Sequence, residues 1–468
     1  VESAQETTEG KAKSEDKGED AEPTTVPETT TPEAEDTTVP ETTTPEEEDT
    51  TVPETTPEEK EDDTTMAATT TEAKAKSEDS STRSPATASP LVVDDAEPSN
   101  PVPNPCEVVS LEEGATIRID CQGQDMSFLK SGDLSEWKIA GEAGSKVTSF
   151  SLDATSGSFA SGDGGDRLMD ALGALPQLTE VSLSLGWSNL GLFEVGMGVT
   201  NVSKLGKGAL QSLTLHMPGI QLESSIMLWK DITSLQPDLK VLDLDLTGSG
   251  MNTLSAAGLA AALKHFSGLQ TLRLHMSVNE DLQDAGLMHL TKAISTLSSL
   301  QSLTLEAAGV KMSNIGLREI GEGIVGNRNA IHLEWLTLDL GHNSISESGA
   351  FELARSIEKL DLQQLALSVR STWIGDIGAQ RLISGVAKIE SLKELSLDMA
   401  FCGFQDDQTI EALVEDLKDR EYKSLDLDLS GDVVTSTASQ KLEQALKAWN
   451  EGKTKATLQM PIIRDTPT

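Results

Sequence analysis

The sequence is poor in tyrosine, cysteine and basic residues. Its 468 residues include 1 Tyr and 3 Cys, and 36 Lys+Arg stand against 77 Asp+Glu, for a formal net charge of −41. Three cysteines are too few for a disulfide framework. The negative charge excludes nucleic acid and anionic membrane surfaces as expected partners, because both would be repelled. A partner bound through charge would have to be basic.

Several familiar signals are also missing. No run of about 18 apolar residues occurs, so no membrane-spanning helix is expected. No basic segment followed by an apolar one opens the chain, which begins at Val1, so no secretory signal is expected. The G-x-S-x-G, H-E-x-x-H, Walker and dinucleotide-binding glycine motifs are absent. We therefore predict a protein without catalytic activity and without a cofactor or metal.

Residues 1–100 form a separate acidic segment with 29 Asp+Glu against 7 Lys+Arg. TTVPETTTPEAED at Thr24 is repeated almost unchanged at Thr37 and Thr50. Thr, Pro and Glu bury too little apolar area to offset the entropy of ordering, so we predict disorder. Two interpretations stay open: a solvated spacer, which we favour, and an O-glycosylated stalk.

Residues 101–146 are predicted to be an N-terminal cap with short strands. Apolar residues alternate on both sides of a Glu113-Gly114 turn, which indicates two strands. Cys106 and Cys121 lie at the two ends of this hairpin, where a disulfide could close. The alternative is a pair of reduced thiols. The disulfide is favoured, and it would point to an oxidising, extracellular compartment, with a cytoplasmic location as the alternative.

A leucine signature, L-x-x-L-x-L-x-L, then recurs about every 30 residues, which is typical of a solenoid built from one repeated unit. Its first positions are Leu178, Leu210, Leu239, Leu269, Leu300, Leu333, Leu362, Leu392 and Tyr422. Val147 to Leu152 and Ala456 to Met460 add a first and a last strand. We predict about eleven repeats over residues 147–461, followed by a C-terminal tail over 462–468.

Each unit changes its hydrophobic period from two to that of a helix. Leu242, Leu244 and Leu246 alternate with polar residues, as in a strand with one buried face. About ten residues later the apolar positions follow helical spacing, and a glycine followed by leucine or alanine begins the stripe. Three acceptors that stand two residues before the glycine are predicted to cap the start of their own helix. They are Asp284, Asn314 and Asp376.

This pattern resembles the leucine-rich repeat family, in its ribonuclease-inhibitor-like subtype, over about two-thirds of the chain. The resemblance implies an α/β solenoid, a horseshoe with parallel strands on the concave face and helices on the convex face. It also implies protein binding on the concave face, without catalysis or a cofactor. One departure is that only Asn343 resembles the Asn or Cys which that subtype has after the strand.

The strand positions that escape burial predict a binding surface rich in carboxylates. A concave wall of one charge sign steers an oppositely charged partner, so we expect a basic protein or peptide to dock there. The alternative is a solvated face in a protein that is acidic throughout. The candidate partner-binding residues are Asp243, Asp245, Arg273, His275, Glu306, Asp339, Asp398, Asp426 and Asp428.

Other candidate sites are weaker. His216 and His275 face the same side but are two repeats apart, about 10 Å, which is too far to share a zinc ion. Cys402 is more often a buried apolar filler than a nucleophile. Asn201 begins a glycosylation sequon that matters if the chain is secreted.

Aromatic residues near strand ends form either a rim around the face or packing at its edge. They are Trp187, Trp229, Trp335, Trp373, Phe401 and Phe404.

The leading functional prediction is therefore a non-catalytic protein-protein interaction scaffold carried on an acidic spacer. One alternative is a secreted or surface protein with a structural or adhesive function, in which the Thr/Pro segment is a glycosylated stalk. A second alternative is the regulatory part of a larger enzyme.

Overall fold

A computed structural model describes most of the chain after residue 103. The described residues are 104–111, 114–130, 134–139, 141–157, 164–186, 205, 210–221, 226–235, 237–325, 332–452 and 454–464. The predicted disordered segment, the sequon at Asn201 and Trp187 lie outside these ranges.

The strands are short, and most have five residues. In chain order they are β1 Glu107–Leu111, β2 Thr116–Asp120, β3 Ser149–Asp153, β4 Glu180–Ser184, β5 Ser212–His216, β6 Val241–Asp245, β7 Thr271–His275, β8 Ser302–Glu306, β9 Trp335–Asp339, β10 Gln364–Ser368, β11 Glu394–Asp398, β12 Ser424–Asp428, β13 Val433–Thr435, β14 Lys455–Gln459 and β15 Ile462–Arg464.

Helices follow the strands in most of the described repeats. They are α1 Gly141–Gly144, α2 Gly164–Gly173, α3 Ile226–Thr233, α4 Thr253–Leu263, α5 Gln283–Ile294, α6 Asn314–Val325, α7 Glu347–Ile357, α8 Gly375–Ala387, α9 Asp407–Leu417 and α10 Ser436–Glu451. Among the described residues, every helix is too short or too polar to span a lipid bilayer.

Within the described residues, thirteen strands form one sheet in the order β1 to β12 and then β14. From β2 onward every neighbouring pair is parallel and in register, so that Leu242, Leu272 and Leu303 lie side by side. The signature leucines are buried with the apolar helix positions in one continuous core. The predicted α/β architecture, one stack of parallel strands with a helix after most of them, is thereby confirmed. All eleven predicted strands are present, and the parallel stack begins one strand earlier, at β2.

The turn after each of β2, β3 and β5 to β12 repeats one backbone geometry. The third residue past the strand has a positive φ, from 55° at Ser371 to 85° at Gly431. Glycine adopts this region freely, whereas Val278, a β-branched residue, is held there at 63°. The turn therefore keeps this backbone geometry even where a β-branched residue disfavours a positive φ.

From β6 to β12 the fourth residue past each strand is buried, and after every strand except β8 it is a residue that can form hydrogen bonds; we call these positions the buried column. Asn343 donates from Nδ2 to the carbonyl of Ala307 at 2.8 Å, and its Oδ1 accepts from the N–H of Met312 at 3.0 Å. Asn279 bonds the preceding loop in the same way. The expectation that only Asn343 plays this role is therefore wrong, because the column also contains Ser249, Thr372, Cys402 and Asp432.

The predicted helix caps act between repeats rather than within one. Asp284 lies inside the first turn of α5, and its Oδ1 accepts from the N–H groups of Ser313 and Gly316 in the next repeat, at 2.7 and 3.1 Å. Asn314 accepts from the N–H of Ser346, and Asp376 from that of Asp406. The prediction that these residues cap their own helices is wrong, because helix starts of successive repeats lie side by side.

The two ends of the sheet are built differently. At the N-terminal end β1 pairs with β2 antiparallel, and Cys106 and Cys121 are joined by a disulfide. At the C-terminal end β14 is the last strand, and residues 462–464, part of the predicted tail, form β15, which pairs with β13 in a separate two-stranded sheet.

Candidate functional site

The sheet has one face that points away from the helices, which we call the open strand face. Two rows of side chains run along it, because the strands are in register. The middle row includes Thr214, Asp243, Arg273, Thr304, Thr337, Ala366, Ser396, Asp426 and Thr457. The terminal row includes His216, Asp245, His275, Glu306, Asp339, Ser368, Asp398, Asp428 and Gln459. All nine predicted partner-binding residues lie in these rows.

Asp243 is the centre of a first cluster on β5 to β8. Its side chain is 13% exposed, and its Oδ1 lies 3.5 Å from Nε2 of His216 and 3.6 Å from Nε2 of His275. Its Oδ2 lies 3.5 Å from Nη1 of Arg273. On the far side of the ring, Nδ1 of His275 lies 2.8 Å from Oε2 of Glu306. The two imidazoles converge on one oxygen, so they are closer than the spacing of their strands.

The charges of this cluster largely cancel. Contacts with Asp243 and Glu306 raise the pKa of His275 to about 10 against the effect of burial, so the ring is an imidazolium at neutral pH. Burial favours the neutral form of Asp243, but contacts with His216 and His275 outweigh it and hold the pKa well below its usual value. Arg273 and His275 thus balance Asp243 and Glu306. No group of donors among the described residues could hold a metal ion.

A second cluster lies on β10 to β12 and contains a cation that the sequence pattern missed. Arg370 follows β10 by two residues, and its Nη1 lies 3.3 Å from Oδ2 of Asp428 and 3.8 Å from Oδ2 of Asp398. The guanidinium also lies 5.2 Å from the centre of the Phe401 ring. The strand alternation did not identify Arg370, because this residue lies in the turn after β10 and not at an alternating strand position.

The terminal-row aspartates also have a structural function. In each of four repeats the aspartate Oδ1 accepts from the backbone N–H two residues later, at 2.9 to 3.1 Å. The four are Asp245, Asp339, Asp398 and Asp428. Such a bond fixes the start of the turn, as Asp does in other turns. One carboxylate oxygen of each aspartate is therefore committed to the fold.

Asp426 differs from these aspartates because it is exposed and lies in the middle row. Its side chain accepts from the hydroxyl of Thr457 on the neighbouring strand, and it contacts no described cation. Asp426 is therefore a predicted binding residue whose carboxylate is exposed and is not paired with a described cation.

The aromatic residues near the strand ends divide into two groups. Trp229 and Phe404 are buried in the core, as the edge-packing interpretation expects. Trp335, Phe401 and Trp373 are exposed by 40%, 52% and 80%.

Cys402 is buried, and burial raises the pKa of its thiol to about 12, which leaves it un-ionised at neutral pH and disfavours nucleophilic chemistry.

Comparison with known proteins adds little to this geometry. No family model matches the chain, and no curated protein matches it. Among solved structures, the chain is similar to an internalin from Listeria monocytogenes str. 4b F2365, with 16% sequence identity and a TM-score of 0.39. The alignment covers 75% of this chain and 87% of the internalin.

Proposed function

We propose that the chain is a non-catalytic protein-interaction scaffold that binds a basic partner on the open strand face. Residues 101–146 would cap the repeats of 147–461, and the polar column after the strands supports the ribonuclease-inhibitor-like subtype. An open sheet face of rigid, in-register strands holds side chains at fixed spacing, which suits recognition of another protein.

The charge balance favours the C-terminal half of the face as the binding region. In the two rows from β9 to β12, four carboxylates face one guanidinium, that of Arg370. On β6 to β8 the carboxylates are largely neutralised by Arg273 and His275. The exposed, uncompensated carboxylate of Asp426 is the observation on which the proposal depends most.

The test compares partner capture by Asp426→Asn and by a matched charge control, Asp419→Asn. Asp419 is exposed just past the end of α9, away from the two rows. Proteins captured from native lysate at low salt should be retained less by Asp426→Asn, with affinity about threefold to fivefold weaker, and retained fully by Asp419→Asn. Added salt should weaken binding to the unaltered chain, because exposed charges are screened.

Capture that resists salt and is equal for both variants would refute a charge-driven site on this face. Asp428 is unsuitable for this comparison, because its carboxylate also holds the turn at Ser430 and pairs with Arg370.

A second candidate function is supported by the disulfide between Cys106 and Cys121, since disulfides persist in oxidising compartments. In this case the chain is a secreted or surface protein with a structural or adhesive role, and the Thr/Pro segment is a glycosylated stalk. Intact mass of the protein from its native source, before and after deglycosylation and reduction, tests this. A mass equal to that of the bare polypeptide would refute the stalk.

A further inference from the structure

An open groove lies where α7 and α8 begin, away from the open strand face. We call it the Trp373 groove. It has a volume of about 930 Å³, which is within the range of ligand-binding clefts. Its lining residues include Glu347, Phe351, Glu352, Trp373, Asp376 and Ile377. None of them belongs to the middle or terminal row.

The groove carries a concentration of exposed apolar side chains. Trp373 is 80% exposed, Ile377 55% and Phe351 44%. The backbone under the tryptophan is fixed, because the N–H of Trp373 donates to the carbonyl of Ile345 at 2.8 Å. Large exposed aromatic side chains on a rigid frame are the residues that most often dominate binding energy in protein interfaces.

The charges around the groove favour a cationic ligand. Glu347 and Glu352 line it and make no ion pair with any described residue. Asp376 lies in the same wall, although its carboxylate accepts backbone N–H groups of the next repeat. A cation already contacts one aromatic ring, because the guanidinium of Arg381 lies 5.5 Å from the centre of Phe351. Trp373, whose ring is the stronger cation-binding type, has no such contact with a described residue.

We propose that the Trp373 groove is a second docking surface, which takes a short segment of another protein that has apolar side chains next to lysine or arginine. The apolar side chains cover Trp373, Phe351 and Ile377, which removes this exposed surface from water. The flanking cations lie close to Glu347, Glu352 and the face of the indole. This site is independent of the open strand face, so either surface can fail as a binding site without the other.

The experiment selects binders from a library of random linear dodecapeptides displayed against the full chain. The selected peptides should combine aromatic or aliphatic residues with lysine or arginine. The affinity of the best peptide, measured by fluorescence anisotropy, should fall about tenfold in Trp373→Ala. It should fall about threefold in the double variant Glu347→Gln/Glu352→Gln, and further with added salt.

Two control variants separate this groove from other surfaces. Leu254→Ala removes an apolar side chain that is 65% exposed in the first turn of α4, three repeats earlier, and it should leave the affinity unchanged. Asp426→Asn alters the open strand face and should also leave it unchanged. Thermal unfolding of Trp373→Ala should match that of the unaltered chain, because so exposed a side chain contributes little to folding.

Three outcomes would overturn the proposal. The selection could yield no peptide that the chain retains. The selected peptides could bind Trp373→Ala as tightly as the unaltered chain. Their sequences could also lack basic residues and bind without dependence on salt.

Discussion

At the scale of single residues, the buried column shows that one position can stabilise or destabilise the fold, depending on which side chain occupies it. Asn279 and Asn343 both donate and accept hydrogen bonds four residues past their strands. Asp432 holds the equivalent position and only accepts, from the N–H groups of Cys402, Gly403 and Phe404. Burial raises the pKa of Asp432 to about 6, and the charge of Asp376 acts in the same direction. A carboxylate at this position is therefore destabilising at neutral pH.

We expect Asp432→Asn to stabilise the chain at pH 7.5, by about 2 kcal/mol. Below the usual pKa of 3.8 the carboxyl is protonated in both the folded and the unfolded chain, so its titration does not destabilise the fold. As pH rises from there through about 6, the unfolded chain loses this proton first, so stability falls and the loss persists at higher pH. The gain from the substitution should therefore fade as pH falls from 7.5 to 4. Chemical denaturation at several pH values measures it.

The reciprocal substitution Asn343→Asp is the matched control. It should destabilise the chain more at pH 7.5 than at pH 4. If Asp432→Asn changed stability equally at both pH values, titration of this carboxyl would not be the cause.

At the scale of elements, successive helix starts are joined by acceptors that reach from one repeat to the next. Gly316 leaves room for this contact, because a Cβ there would lie 2.4 Å from Oδ1 of Asp284 and 2.8 Å from Cγ of Met312. Gly349 has the same relation to Asn314. At Gly316 and Gly349 the glycine thus reflects contact between neighbouring helices, whereas a Cβ on Gly286 or Gly378 would first meet a residue at the start of the same helix.

We expect Gly316→Ala to destabilise the chain by about 1–3 kcal/mol, because the new methyl group displaces Asp284 from the N–H groups that it caps. In an Asp284→Ala background the same change should cost clearly less, since the carboxylate is no longer in the way. A double-mutant cycle of unfolding free energies measures this coupling. Strictly additive effects would show that Asp284 is not the obstacle.

At the scale of the whole molecule, most contacts between described elements join the strand of one repeat to the strand of the next, or the helix of one repeat to the helix of the next. In such a protein, stability is local, and an end repeat has a neighbour on one side only. The hairpin of β1 and β2 ends the sheet, and the disulfide between Cys106 and Cys121 closes it. Loss of this bond should therefore affect the N-terminal end without weakening the centre.

We expect reduction of the disulfide to destabilise β1 and β2 by about 3 kcal/mol, given the sequence separation of 15 between the cysteines. Hydrogen exchange should show faster exchange in these strands and unchanged protection from β8 to β11. Cys402→Ala, treated in the same way, should respond identically, because Cys402 is a separate buried thiol. Equal protection of β1 and β2 before and after reduction would contradict the prediction.

Much of the fold was predictable because burial leaves a periodic trace in the sequence. The leucines of β4 to β12 alternate, and the stripes of α5 to α8 follow helical spacing, so strands, helices and their order could be read directly. The buried column past the strands was missed since its members are chemically diverse, from Asn279 to Thr372 and Cys402. Their common property is the backbone position, which a residue pattern does not display.

For the candidate site, the alternation in the strands was enough to identify which residues share the open strand face. It could not assign their interactions. His216 and His275 meet at Asp243 because their side chains lean across the intervening strand, and Arg370 reaches Asp428 from a turn two repeats away. The Trp373 groove likewise combines α7 with α8, although one strand and its turn separate them along the chain.

The sequence by itself determined the repeat length, the burial of the leucines and the acidity of the strand face, because these depend on composition and spacing within one unit. Only the tertiary structure decided which carboxylates are neutralised, which cap the next repeat, and which stay exposed as Asp426 does. The physical reason is that charge pairing and capping here join residues about 30 positions apart or more, and their distances exist only once the repeats are stacked.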